Sequence, residues 1–191
     1  MWKIVNRVNM SSKKRKLLIF DLLLLIVLVA ADQFTKYLAV LRLKNQPSFD
    51  IIKGVLELSY LENRGAAFGM LQNQKVFFVF VAVVFLCVIV YVLFKTPDHC
   101  RYNNLHFLLI MIASGAIGNL IDRLRLDYVV DFIYIVLINF PIFNVADMYV
   151  TISTAVLVIL MLFVYKEEDF EFLGFHSGRR ETEENLRDKN I

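Results

Sequence analysis

The chain alternates long uninterrupted apolar runs with short polar segments. About 20 helical residues are needed to cross the hydrocarbon core of a bilayer, and four runs are long enough to do so. They extend from Leu17 to about Ala39, from Val76 to Phe94, from Leu105 to Ile121, and from Pro141 or Ile142 to Tyr165. The pattern predicts an all-α membrane protein built as a four-transmembrane-helix bundle.

The longest connection between these runs, residues 41–75, has a different periodicity. Residues 55–60 partly alternate between apolar and polar side chains, and Lys53-Gly54 suits a turn after residues 49–52. Alternation on both sides of a turn is typical of a hairpin. We therefore predict a small extracytoplasmic β-sheet, a strand pair resting on the outer membrane surface. Residues 122–140, which carry charged and aromatic side chains, are predicted to form a loop.

Composition and charge support a membrane protein with a defined orientation. Of the 191 residues, 58% are hydrophobic, against about 45–50% apolar residues in soluble domains. Residues 1–16 contain six Lys and Arg residues and no acid, which favours a cytoplasmic N-terminus. The chain then divides into a basic cytoplasmic N-terminus (1–16), a four-span domain (17–165) and a charged, partly disordered cytoplasmic tail (166–191).

Two other interpretations of the N-terminal region are less consistent with the pattern. A basic arm can bind nucleic acid, but its position beside a membrane span argues for a membrane role, and we expect no nucleic-acid partner. Val29-Ala30-Ala31 resembles the cleavage site of a signal peptide. However, apolar character resumes after Lys36, and Asp32 and Lys36 are four residues apart and can form an ion pair. The first run is therefore predicted to remain as a span.

Polar residues occur at helical spacing within the third and fourth runs. Ionisable groups at membrane depth cost about 3 kcal/mol or more and are functional candidates by default. One helix face carries Gly115, Gly118, Asn119 and Asp122, and another carries Asn144, Asp147, Thr151 and Thr154. Such stripes on apolar helices are expected to face each other rather than lipid.

The predicted topology brings these polar groups to one side of the membrane. With a cytoplasmic N-terminus the four spans run out, in, out and in. The polar groups then lie near the outer leaflet, namely Asp32, Lys36, Asn63, Asn119, Asp122, Asp131, Asn144 and Asp147. A single extracytoplasmic site is the simplest prediction.

The residue types in this cluster restrict its chemistry. It contains no His or Cys, and His99 and His106 are predicted at the opposite end, which argues against Ser/His or Cys/His nucleophiles and against zinc. Paired carboxylates remain. Two Asp residues close together in a low-dielectric site share one proton, so that one can activate water while the other acts as an acid. This is aspartic-peptidase chemistry, and it needs no metal or cofactor.

Five motifs occur together and in order along the chain. They are Asp32-x-x-x-Lys36, Asn63-Arg64-Gly65-Ala66-Ala67-Phe68, Gly115-x-x-Gly118-Asn119-x-x-Asp122-Arg123, Val130-Asp131-Phe132 and Phe143-Asn144-x-Ala146-Asp147. This combination strongly resembles the bacterial lipoprotein signal peptidase family, signal peptidase II, over nearly all of residues 17–165.

The resemblance implies a specific activity and specific residue roles. Members are four-span aspartic endopeptidases of the bacterial inner membrane, and they cut lipid-modified prolipoproteins just before the diacylglyceryl-bearing cysteine. The catalytic pair would be Asp131 and Asp147. The supporting polar positions would be Asp32, Lys36, Asn63, Asn119, Asp122, Arg123 and Asn144. The expected partners are prolipoproteins and membrane lipid, and the expected oligomeric state is a monomer.

Simpler structural roles are also predicted for several of these residues. Asp122 and Arg123 suit an ion pair, the two Asn residues at 119 and 144 suit hydrogen bonds between helices, and Gly115 and Gly118 suit close helix packing. Four aromatic residues suit an interfacial belt at the lip of a lipid groove. They are Phe132, Tyr134, Phe140 and Phe143.

Two rival functions use the same carboxylates. A proton- or cation-coupled transporter would need polar residues across the whole bilayer, yet residues 76–94 and 155–165 are nearly free of them. A membrane scaffold without chemistry would use the Asp residues only to pack helices.

Overall fold

The computed structural model describes residues 11–65 and 71–174. Lys3 and Arg7 of the basic N-terminus, residues 66–68 of the second motif and the tail after residue 174 lie outside the described residues. The predicted spans are confirmed as four helices, α1 (Ser12–Leu43), α2 (Lys75–Lys95), α3 (Asn103–Leu126) and α4 (Val145–Phe163). By length and composition each of these regions could cross a membrane.

Helix α3 is the centre of the bundle. About half of its apolar stretch is buried, whereas the corresponding stretches of the other three helices are mostly exposed. The main core cluster joins Ile89 and Leu93 of α2 to Leu105 and Leu109 of α3. The outward side chains of α2 are apolar and exposed, as expected for a surface that contacts lipid.

A three-stranded antiparallel sheet covers one end of the bundle. Its strands are β1 (Phe49–Ile52), β2 (Leu56–Asn63) and β3 (Val129–Ile135), in the order β1-β2-β3. The predicted hairpin is confirmed as β1 and β2, and Gly54 in the connecting turn has a φ of 73°, which glycine adopts readily.

The predicted loop over residues 122–140 is wrong. Helix α3 continues to Leu126, Asp127 ends it with a φ of 69°, and the chain then enters β3. The first four residues of β3 are all buried. Val130 and Phe132 pack against α1, and Val129 and Asp131 on the opposite face are buried as well. Burial on both faces removes the apolar-polar alternation by which a strand is recognised in a sequence.

The end of the bundle away from the sheet is held by a buried ionic cluster. Helix α1 begins before the predicted Leu17, and Lys14 in its first turn is buried. Its Nζ donates to the carbonyl oxygens of Leu93 (2.7 Å) and Thr96 (2.6 Å) and lies 3.3 Å from Nε2 of His106. Since an ammonium group cannot accept a hydrogen bond, this nitrogen is the acceptor, and Nδ1 donates to Asp21 at 2.6 Å.

Packed structure also continues beyond the predicted boundary at Tyr165. Residues Glu167–Leu173 form a short 3₁₀ helix. Arg101 donates to both carboxylate oxygens of Asp169 at 2.7 Å, and Tyr165 stacks on Tyr102. The start of the predicted tail is therefore folded against the connection between α2 and α3.

The predicted role of the α3 glycines in close packing agrees with the structure. A Cβ atom at Gly115 would collide with the backbone carbonyl oxygen of Ala146, and one at Gly118 would collide with the carboxylate of Asp32. These two positions let α3 approach both α1 and α4.

We predict that Gly115→Ala lowers the free energy of unfolding by about 1–3 kcal/mol, because the added methyl group must displace the backbone of α4. The measurement is thermal or denaturant unfolding of the purified protein in detergent. Ala155→Val, at an exposed position of α4, is the control and should change stability by less than about 0.5 kcal/mol. Equal stability of the two variants would contradict the packing role.

Candidate active site

A buried lysine links three neighbouring polar groups at the sheet end of the bundle. Nζ of Lys36 lies 3.0 Å from a carboxylate oxygen of Asp32, 3.0 Å from one of Asp122, and donates to Oδ1 of Asn119 at 2.8 Å. Lys36, Asp32 and Asp122 are almost completely buried. The predicted ion pair between Asp32 and Lys36 is therefore present, and the three N–H donors of the ammonium each have an acceptor.

The two carboxylates also join further elements to this centre. Asp32 accepts from the backbone N–H of Ala146 (2.9 Å) in the first turn of α4. Asp122 accepts from the backbone N–H of Val130 (3.1 Å) in β3 and from the Gln33 side chain (2.9 Å). Gln33 is absent from the predicted set, and its only sequence signal is that it is an amide inside an apolar run.

The predicted ion pair between Asp122 and Arg123 is wrong. Consecutive residues on a helix do not face each other, and Asp122 turns towards α1, where it pairs with Lys36. Arg123 turns to the other side, its guanidinium carbon 4.7 Å from the ring centroid of Phe78. One guanidinium nitrogen donates to the carbonyl oxygen of Gly65 at 3.4 Å.

Asn144 and Asp147 are fixed by the start of α4. The Asn144 side chain accepts from the backbone N–H of Asp147 (3.0 Å), and the Asp147 carboxylate accepts from the backbone N–H of Asn144 (3.1 Å). This reciprocal pair is a capping box. The other oxygen of Asp147 accepts from the Asn119 side chain at 2.7 Å.

Asp131 comes to the same place on strand β3. Its two carboxylate oxygens accept from Nδ2 of Asn144 (2.6 Å) and from Nδ2 of Asn63 (2.8 Å), the last residue of β2. Nδ2 of Asn144 also lies 3.2 Å from Oδ1 of Asn119. Side-chain amides therefore connect Asp131 to Asp147 without interruption, and each predicted supporting Asn contacts at least one of the two carboxylates.

Both aspartates line one cavity of about 490 Å³. Its lining is mostly apolar and includes Phe78, Phe140, Phe143, Met148 and Ile152.

Thr151 of the predicted polar stripe also lines the cavity, whereas Thr154 is exposed elsewhere on α4. The four aromatic residues predicted to form one belt lie in different places. Phe140 and Phe143 line the cavity. Phe132 is buried, and the hydroxyl of Tyr134 donates to the side chain of Asn139.

The protonation of Asp131 reflects its burial and its neighbour. Burial, followed by the negative charge of Asp147, raises the pKa of Asp131 to about 7, while hydrogen bonds from Asn63 and Asn144 oppose the increase. Near neutral pH this carboxyl group can therefore hold or release a proton. The arrangement suits two carboxylates that share one proton and jointly hold a water molecule.

Other kinds of site have less support within residues 11–65 and 71–174. In that part of the chain no three His, Cys, Asp or Glu side chains are grouped to hold a metal ion. His106 belongs to the ionic cluster at the opposite end of the bundle, as predicted, and His99 lies in the connection between α2 and α3. Cys87 and Cys100 are both free and exposed.

We predict that Lys36→Met lowers the free energy of unfolding by about 3–5 kcal/mol, because it leaves two buried carboxylates without a counter-ion. The matched control is Lys44→Met, which breaks a partly exposed pair with Glu62 of the same 3.0 Å length and should destabilise the protein far less, because solvent screens exposed pairs. Denaturant titration in detergent measures both. A Lys36 variant as stable as the Lys44 variant would show that the buried network does not stabilise the fold.

Comparison with known proteins identifies the family. Residues 24–163 match the family model described as Signal peptidase (SPase) II. A lipoprotein signal peptidase of Caldanaerobacter subterraneus is 50% identical over 136 residues, 71% of this chain and 90% of the relative. One of Streptococcus pyogenes serotype M5 is 43% identical over 157 residues, 82% of this chain and 98% of the relative.

Two solved structures share the fold. Both are described as bacterial membrane enzymes determined by the in meso method, at 1.9 and 2.3 Å resolution. The first is 32% identical with a TM-score of 0.67 and covers 76% of this chain and 94% of its own. The second is 31% identical with a TM-score of 0.66 and covers 75% and 87%. The resemblance in the motifs is thus confirmed, and the chain belongs to the signal peptidase II family of bacterial inner-membrane peptidases.

Proposed function

We propose that the protein is an aspartic endopeptidase that removes the signal peptide from diacylglyceryl-modified prolipoproteins, just before the lipidated cysteine. The observation that carries the proposal is that Asp131 and Asp147, from a strand and a helix, line the same cavity and are connected by amide hydrogen bonds. The relatives named lipoprotein signal peptidases support the substrate class.

In the proposed reaction the two carboxyl groups share one proton. The ionised member accepts a proton from water, whose oxygen bonds to the scissile carbonyl carbon, while the protonated member donates to the carbonyl oxygen. Breakdown of the tetrahedral intermediate breaks the C–N bond and transfers a proton to the leaving nitrogen. A pKa of about 7 for Asp131 suits this exchange near neutral pH, because a general acid or base is most effective when its pKa is close to the surrounding pH.

The surrounding residues support the pair without entering the reaction. Asn63, Asn119 and Asn144 orient the carboxylates through the hydrogen bonds described above. Asp32, Lys36 and Asp122 hold together α1, α3 and the start of α4, and thereby position Asn119 and Asn144. No metal or cofactor takes part in the proposed mechanism.

The proposal includes a membrane orientation and a domain division. We propose that both termini are cytoplasmic and that the active site lies near the outer leaflet, because the basic residues are concentrated before the first span. Residues 17–165 form the peptidase domain in this scheme, flanked by segments 1–16 and 166–191. The protein acts as a monomer within lipid.

A transporter remains the alternative, and the distribution of buried polar groups disfavours it. On α3, Ser114 is the only buried polar residue between His106 and Gly118, and its hydroxyl donates to the carbonyl oxygen of Ile110 in its own helix. Polar groups are therefore concentrated at the two ends of this helix. A relay across the bilayer would need them along its whole length.

We predict that Asp131→Asn and Asp147→Asn each lower cleavage by at least about 10²–10⁴-fold, because an amide can neither accept nor release the shared proton. The assay follows hydrolysis of a purified diacylglyceryl-modified prolipoprotein in detergent, and thermal unfolding confirms that each variant is folded. Asp127→Asn is the control, since Asp127 is exposed at the end of α3 and pairs with Lys75. Full activity of either site variant would refute the catalytic pair.

The pH dependence gives a second prediction. Activity should fall as pH rises through about 7, where Asp131 loses its proton. Asn63→Ala removes a hydrogen bond that stabilises the charged form of Asp131, so the pKa of Asp131 rises and the decline in activity moves to higher pH. The measurement is kcat/KM against pH for wild type, Asn63→Ala and the exposed-site control Asp50→Asn on β1. A decline that moves to lower pH in Asn63→Ala would contradict the assigned proton.

A further inference from the structure

Arg123 is the only cationic residue among the described residues that line the cavity. It packs on the Phe78 ring and donates one long hydrogen bond to the carbonyl oxygen of Gly65. Within the described part of the chain, no carboxylate lies within ion-pair distance of its guanidinium. A guanidinium has five N–H donors, so most of its capacity for hydrogen bonds is unused by these neighbours.

The other polar side chains at the site are already engaged with the aspartates. The side-chain amides of Asn63 and Asn144 donate to Asp131, and that of Asn119 donates to Asp147. Lys36 has three acceptors and is buried behind Asn119. Among the described residues that line the cavity, Arg123 is therefore the one with strong donors left for a ligand.

The proposed reaction creates one new negative charge in this cavity. Hydrolysis adds the oxygen of water to the carbonyl carbon and breaks the C–N bond, which gives a carboxylate on the released signal peptide and an amine on the lipidated cysteine. A carboxylate in a largely apolar cavity requires a counter-ion or strong hydrogen bonds. The neighbouring aspartates repel it, whereas the planar fork of an arginine matches its two oxygens.

We propose that Arg123 binds the newly formed C-terminal carboxylate of the cleaved signal peptide, which makes it a product-binding residue. The inference rests on the proposed function, since that reaction generates the carboxylate. Arg123 is held in position because its neighbour Asp122 is fixed to Lys36 and β3. Its guanidinium carbon also lies 4.7 Å from the centroid of the Phe78 ring, within the range of a cation–π contact.

The consequence is that the enzyme distinguishes its product from a neutral analogue. A signal peptide that ends in a carboxylate should bind more tightly than the same peptide with a C-terminal carboxamide, which cannot form the charged pair. One charge-assisted interaction corresponds to about tenfold in affinity or more.

The experiment measures equilibrium binding of these two fluorescently labelled peptides to the full-length protein in detergent at pH 7. We expect wild type to bind the carboxylate form about tenfold more tightly, Arg123→Gln to bind both forms equally, and Arg123→Lys to keep part of the preference. Arg125→Gln is the matched control, because Arg125 is exposed two residues further along α3 and is absent from the cavity lining. It should keep the full preference.

Two results would overturn the proposal. One is equal binding of both peptides by wild type, which is informative even if Arg123→Gln is unfolded. The other is an unchanged preference in a folded Arg123→Gln variant. Binding does not require turnover, so these results are separable from a failure of the proposed function, which would appear as no hydrolysis of the prolipoprotein by wild type.

Discussion

The structure of the site depends on one ammonium group enclosed between two helices. Nζ of Lys36 has two carboxylates and an amide oxygen around it, and those carboxylates also bind the backbones of α4 and β3. A lone charge at membrane depth costs about 3 kcal/mol or more, and this one is compensated by contacts that join four elements. Because an ammonium only donates, it also fixes the Asn119 amide, turning Oδ1 towards itself and Nδ2 towards Asp147.

The same reasoning applies to the other two amides. A backbone N–H donates to Oδ1 of Asn144, and another donates to Oδ1 of Asn63, so both Nδ2 groups face Asp131. Each carboxylate thus receives donors whose orientation is fixed by groups outside the pair. These donors favour the charged form, while burial and mutual repulsion oppose it. The balance explains why the pKa of Asp131 is raised only to about 7, within reach of a reversible proton transfer.

Local sequence patterns predicted much of the fold and part of the site. The four helices follow from run length, the β1-β2 hairpin from alternation, and the close contacts at Gly115 and Gly118 from helical spacing. Strand β3 was missed because burial on both faces removes alternation. The partner of Asp122 was assigned wrongly because the nearest charge in sequence lies on another helix face. The contact between Lys14 and His106, which are 92 residues apart, depends on how whole helices are aligned, and no local pattern specifies that alignment. The only sign of it in the sequence is that polar residues occur beside or within apolar runs.

Two buried polar clusters of the protein lie at different ends of helix α3. His106 and Asn119 are 13 residues apart, or about 20 Å along a helix at 1.5 Å per residue, so the two polar clusters lie near opposite ends of a span. Polar groups cost least where water and lipid headgroups are near. A hydrolase also needs water at its carboxylates and apolar surface for a membrane-embedded substrate. Asp131 comes from a strand outside the spanning helices and Asp147 from the first turn of α4. In the proposed orientation their meeting point lies near the membrane boundary, where both requirements are met.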